Sequence, residues 1–209
     1  MGGAPPGRKW AVACGSAIET MSKDQENDDQ FRRTLNESAR LLSQNRPGEA
    51  LERLLPLQKA KPADPDVAIN LGGAYILQRK WDRAVRVLRR AVDAHPDNAA
   101  LWTNLGAAEL GRLELSGPQQ QERAIAAYER ALQVDPVAPN VHYHLGLIYK
   151  QRGELIRASA FFQRALEVSP ADRDARYWLD KMGELEQELK QRNLPLPGEP
   201  GGSNMAASN

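Results

Sequence analysis

Between residue 29 and residue 192 the apolar positions recur every three or four residues, and nowhere do they alternate with polar ones as in a half-buried strand. The spacing predicts helices and no sheet. Helix-breaking prolines fall at regular intervals: Pro62, Pro96, Pro136 and Pro170 are separated by 34, 40 and 34 residues. Such a period predicts a repeated unit.

Aligned on those prolines, the preceding residues agree column by column. Five positions earlier stand Leu57, Ala91, Ala131 and Ala165; eight earlier, Leu54, Leu88, Tyr128 and Phe162; twelve earlier, Ala50, Ala84, Ala124 and Ala158. Upstream, a small residue recurs at Ser38, Gly72, Gly106 and Gly146, with Leu41, Tyr75, Glu109 and Tyr149 three positions later. Two antiparallel helices approach closely only where small side chains admit the backbones and bulky neighbours fill the adjoining space. Each proline then ends a second helix and sets the start of the next pair. A lone pair leaves an apolar flank exposed, so the pairs must stack.

In its order of Leu-Gly, Tyr, Ala, aromatic, Ala and Pro, the unit resembles the tetratricopeptide repeat, best seen in residues 65–98. The resemblance implies an all-α, right-handed superhelical solenoid with repeats at 31–64, 65–98, 99–138 and 139–172. The first departs from the pattern with Glu37 at the usual leucine and Leu57 at the usual alanine. Residues 173–192 present Leu179, Met182, Leu185 and Leu189 on one face of a helix and resemble the family's solvating cap. A coiled-coil handle would need a longer seam.

The third copy holds six extra residues around Ser116–Pro118. Leu110, Leu113 and Leu115 favour a first helix longer by about a turn, with an exposed surface turn as the alternative. Glu109 replaces the tyrosine of copies two and four, so local repacking is expected there.

Residues 1–28 and 193–209 are rich in Gly, Pro or charge without apolar periodicity, and both are expected to be a disordered leader and tail. Translation could start at Met1 or Met21. Ala11–Cys14 has the small residues of a lipoprotein box, but the apolar run Trp10–Cys14 is too short for a signal core or a membrane span.

With 28 Lys and Arg against 27 Asp and Glu, the net charge is +1, which disfavours nucleic acid and anionic membranes as partners. The lone Cys14 cannot close an internal disulfide, so a reducing, cytoplasmic location is expected. Neither Cys14 nor His95, His142 and His144 offers the spacing of a metal set, and no nucleophile–base arrangement or phosphate loop is present. No enzyme activity, cofactor or metal is expected.

One column is chemically unusual: Asn36, Asn70, Asn104 and His144 recur two positions before the small residue. Asparagine is poor in a helix interior, so its recurrence asks for a reason. In the tetratricopeptide family this column faces the concave groove. The row resembles the asparagine ladder of O-linked N-acetylglucosamine transferases, which holds the backbone of an extended peptide. A carboxamide both donates and accepts, so it can pair with any peptide unit. The alternative is that these side chains bridge repeats or meet water.

Just before that column come Leu35, Ile69, Thr103 and Tyr143, and Tyr177 and Trp178 follow in the cap, giving the groove an aromatic end. The resemblance thus implies a protein or peptide partner bound as an extended segment. A purely structural, self-associating solenoid, a homo-oligomer with no groove ligand, is the rival. The family's two-carboxylate clamp for chaperone tails is not expected, because its basic columns read Ile69, Thr103, Ala100 and Asn140. Arg83, Arg86, Arg89 and Arg90 suggest a solvated outer face, with an acidic contact as the alternative.

Overall fold

A computed structural model describes the backbone of residues 9–192 and the side chains of residues 25–192. Within it run α1 (Lys9–Ser43), α2 (Pro47–Ala60), α3 (Pro65–Leu77), α4 (Trp81–Ala94), α5 (Ala99–Leu110), a 3-10 turn (Leu113–Leu115), α6 (Pro118–Val134), α7 (Val141–Gln151), α8 (Leu155–Val168) and α9 (Arg173–Gln191). Among the described residues there is no strand. The helices pair in chain order, α1 with α2, α3 with α4, α5 with α6 and α7 with α8, and α9 closes the stack against α8. The architecture is the all-α solenoid of helical pairs.

The four reference prolines act as the sequence predicts. The residue before each one, Lys61, His95, Asp135 and Ser169, leaves helical geometry while its N–H still bonds the carbonyl of Leu57, Ala91, Ala131 or Ala165. The next first helix is then capped where the chemistry allows it. The Asp64 carboxylate accepts from Val67 N–H, the Asn98 amide from Leu101 N–H, and the Asp172 carboxylate from Asp174 and Ala175 N–H.

The small-residue columns mark the contacts inside each pair. Ala50, Ala84, Ala124 and Ala158 are all fully buried. A Cβ added at Gly72, Gly106 or Gly146 would stand 2.7 Å from Leu88, Tyr128 or Phe162 respectively, which are the bulky residues of the facing helices. In the first pair the column holds Ser38, buried, its hydroxyl turned back to the Thr34 carbonyl. The first pair's departures are absorbed at its surface: Glu37 pairs with Arg53 of α2 at 3.2 Å, and Leu57 is half-buried.

Two features differ from the sequence expectation. Helix α1 begins at Lys9, inside the segment expected to be a leader, and from Ser16 to its end no glycine or proline interrupts it. Residues 1–8 of that segment, the side chain of Cys14 and the expected tail 193–209 lie outside the described residues.

The insertion does not lengthen the first helix of its pair. Helix α5 stops at Leu110, because Gly111 adopts φ 62° and ψ −127°. The extra residues form the 3-10 turn and lengthen α6, whose 17 residues exceed the 14 of α2, α4 and α8. Leu115 is 71% exposed, so its apolar character reports no buried stripe.

The core is divided. One cluster runs from Leu41 through the second pair to Ala108 and Ala127, another from Leu110 through Tyr128 and Phe162 to Ala175, and Trp102 touches both. Helix α1 packs on α3 and α3 on α5, but α5 and α7 make no comparable contact, and the fourth pair joins the third through α6 against α7.

Candidate functional site

Asn36, Asn70 and Asn104 lie on α1, α3 and α5, the three first helices that pack in succession. Asn36 is exposed, and Asn70 and Asn104 are half-exposed. Asn70 Nδ2 donates to the Asp66 carbonyl at 3.0 Å and Asn104 Nδ2 to the Ala100 carbonyl at 2.9 Å, each four residues back on its own helix. Only the NH2 end of an amide can pair with a carbonyl, so each Oδ1 is turned away from the backbone as a remaining acceptor. Neither amide bridges to another repeat.

His144 belongs to the same sequence column but sits differently. On α7, beyond the division of the core, its ring stacks on buried Tyr128 of α6, with centroids 5.5 Å apart and planes 12° from parallel. Burial pushes its imidazole below the ordinary value, so near neutral pH it is an uncharged ring in a packed seam. Three of the column's residues thus lie on first helices that pack in succession, and the histidine lies on α7, which makes no comparable contact with α5.

The flanking column is mostly support. Leu35 and Ile69 pack half-buried against the first core cluster. Thr103 Oγ1 donates to the Ala99 carbonyl at 2.9 Å. Tyr143 lies 6.0 Å from Phe162 and 5.8 Å from His144, and burial, with a smaller push from Asp174, raises its phenol above the ordinary range. At the cap, Trp178 packs into the second cluster with the Lys150 ammonium 3.6 Å from its ring centroid. Tyr177 stands edge-on to Trp178 at 5.1 Å and is 54% exposed. Of the aromatic end, Tyr177 is therefore the freest to meet a partner.

Two polar features escaped the sequence reading. Buried Glu109 is held from both sides, by Arg89 of α4 and by Arg123 Nε of α6 at 2.7 Å, which is how the missing tyrosine is repacked. His142 is buried on α7 with Nδ1 unpartnered. Burial first, then nearby Arg164, holds it below the ordinary value, and Glu167 opposes them. The column marks Glu109 as a departure but not its two arginines, which come from other helices, and nothing in the local sequence marks the burial of His142. Among the described residues no group of three His, Cys, Asp or Glu could hold a metal ion, and no helix is long and apolar enough to cross a membrane.

Family models described as "Tetratricopeptide repeat" match residues 41–108 and 139–172, and one described as "TPR repeat" matches 119–153. Over 98 residues the chain is 32% identical to a peroxisomal targeting signal receptor of Eremothecium gossypii, covering 46% of this chain and 16% of the receptor's length. A thermophilic TPR protein of Thermus thermophilus, TTC0263, superposes with a TM-score of 0.66 at 20% identity, over 77% of this chain and 85% of that one. The first TPR domain of Spaghetti (RPAP3), bound to an HSP90 peptide, gives a TM-score of 0.53 at 24% identity, over 59% of this chain and 93% of that one. At such identities the structural likeness concerns the fold alone.

Proposed function

We propose, from the premise that this chain belongs to the tetratricopeptide repeat family, that it is a non-catalytic interaction module whose first helices bind an extended protein segment. The carrying observation is the state of Asn70 and Asn104: each is anchored to its own helix through Nδ2 and keeps an unpaired acceptor at the surface of consecutive packed helices. Anchoring restricts the amide before a ligand arrives, which lowers the cost of ordering it. An unpaired Oδ1 accepts a peptide N–H whatever the side chain beside it. Asn36 extends the row towards α1, and Tyr177 offers an exposed aromatic face at the far end. A relative that is a receptor for a targeting signal, and a structural neighbour with a bound peptide, support a short protein segment as the ligand class. The single cysteine leaves the fold independent of internal disulfides, which supports a reducing compartment such as the cytoplasm.

Unstructured peptides selected against the intact protein from a display library supply the test. A neutral hydrogen bond nets about 0.5–1.5 kcal/mol, so Asn70→Ala with Asn104→Ala should weaken selected peptides roughly tenfold to a hundredfold without lowering the melting temperature. Equal affinity in parent and double variant would refute the amide row. The self-associating solenoid predicts instead a light-scattering mass above the 23.2 kDa of one chain or rising with protein concentration, and a constant mass of one chain counts against it.

A further inference from the structure

The four arginines of α4 divide by what they touch. Arg89 is engaged with Glu109. Arg83, Arg86 and Arg90 are exposed, with no carboxylate within ion-pair distance, and at about 100° per residue they share a sector roughly 60° wide. They border a cleft of about 280 Å³ whose floor includes Val87, with Gln58 of α2 and Tyr75 of α3 opposite. Tyr75, 9% exposed, lines this cleft, and its hydroxyl makes no hydrogen bond within the protein.

A second cleft of about 330 Å³ shares Gln58, Val87 and Arg90 and continues to Lys59 and Pro62. The two form one trough along α2 and α4. Its only carboxylate, Asp64, already accepts from Val67 N–H at the start of α3. In a chain of net charge +1, four cations along one trough are a local concentration and not a general basic surface.

We infer that this trough is a second interaction surface, separate from the amide row, which takes an extended acidic segment of a partner protein. Arg83 to Ala91 spans about 12 Å along the helix, the length of roughly four extended residues. Carboxylates at alternate positions would pair with Arg83, Arg86 and Arg90. Gln58 and the Tyr75 hydroxyl would take backbone groups, while Val87 packs beneath. The charge complementarity selects an acidic chain. The near-buried Tyr75 offers no platform on which bases could stack, which disfavours single-stranded nucleic acid.

The test uses a fluorescein-labelled octapeptide with glutamate at alternate positions, its glutamine counterpart and an oligothymidylate of equal charge. The acidic peptide should bind the intact protein, lose affinity as salt is raised, and weaken roughly tenfold with Arg86→Ala plus Arg90→Ala. Arg32→Ala plus Arg33→Ala removes the same charge from α1 and should leave the affinity unchanged. Arg86→Glu plus Arg90→Glu should instead take up a lysine counterpart of the peptide. Binding of the glutamine peptide as tightly as the acidic one, indifference to the α4 substitutions, equal sensitivity to those in α1, or tighter binding of the oligothymidylate would each overturn the inference.

Discussion

At Gly106 an added methyl group would stand 2.7 Å from a ring carbon of Tyr128, closer than real Cβ contacts come. The ring is fully buried and cannot swing aside as a flexible chain end would. Gly106→Leu should therefore cost about 1–3 kcal/mol or more, read as a lowered thermal midpoint. Gly183 in α9 is the control: nothing lies within 4 Å of an added Cβ, so Gly183→Ala should stabilise by about 0.5–1 kcal/mol through helix propensity alone. The Gly106–Tyr128 contact was legible because both residues recur in register with their counterparts. The restraint of Glu109 was not, because Arg89 and Arg123 are ordinary surface arginines until α4 and α6 are placed beside it. Nor was the orientation of Asn70, since the carbonyl four residues back is available to any helical asparagine.

Turn geometry separates the third pair from the others. Asn45, Arg79 and Gly153 all adopt left-handed conformations, at φ 56°, 57° and 75°, where the first helix of a pair gives way to the second. Glycine is suited to that position, and a side chain there costs roughly 1–2 kcal/mol against a smaller entropic gain. Arg79→Gly should thus raise stability by about 0.5–1 kcal/mol. Gly111 has φ 62° with ψ −127°, a region open almost solely to glycine, and Gly111→Ala should lower it by about 1–3 kcal/mol. Denaturant midpoints for the two variants should move in opposite directions. The existence of the inserted turn was legible, but its placement was not. Leu113 and Leu115 read as a continued apolar stripe, whereas Gly111 breaks the helix first and Pro118 starts the next at its favoured opening position.

Across the whole molecule the period and the order of helices could be read in advance, since each repeat carries its own copy of the columns. The division of the core could not, because Leu105 and Leu145 occupy equivalent columns on either side of it. The boundary crosses the third pair itself, between Ala108 and Leu110 on α5 and between Ala127 and Tyr128 on α6, and just beyond it lies the seam where α5 and α7 make no contact comparable to that of α3 with α5. Under tension this seam becomes a mechanical joint. A chain drawn out by its two ends transmits the load from one helical pair to the next, and the load meets least resistance where the fourth pair joins the third, through α6 against α7 and the bond from Gln151 to the Leu113 carbonyl. Held in an optical trap, the protein should extend in two steps, and His144→Ala, which removes the stack on Tyr128 across α6 and α7, should lower the force of the first. A single cooperative rip would show that the joint is as strong as the repeats it connects.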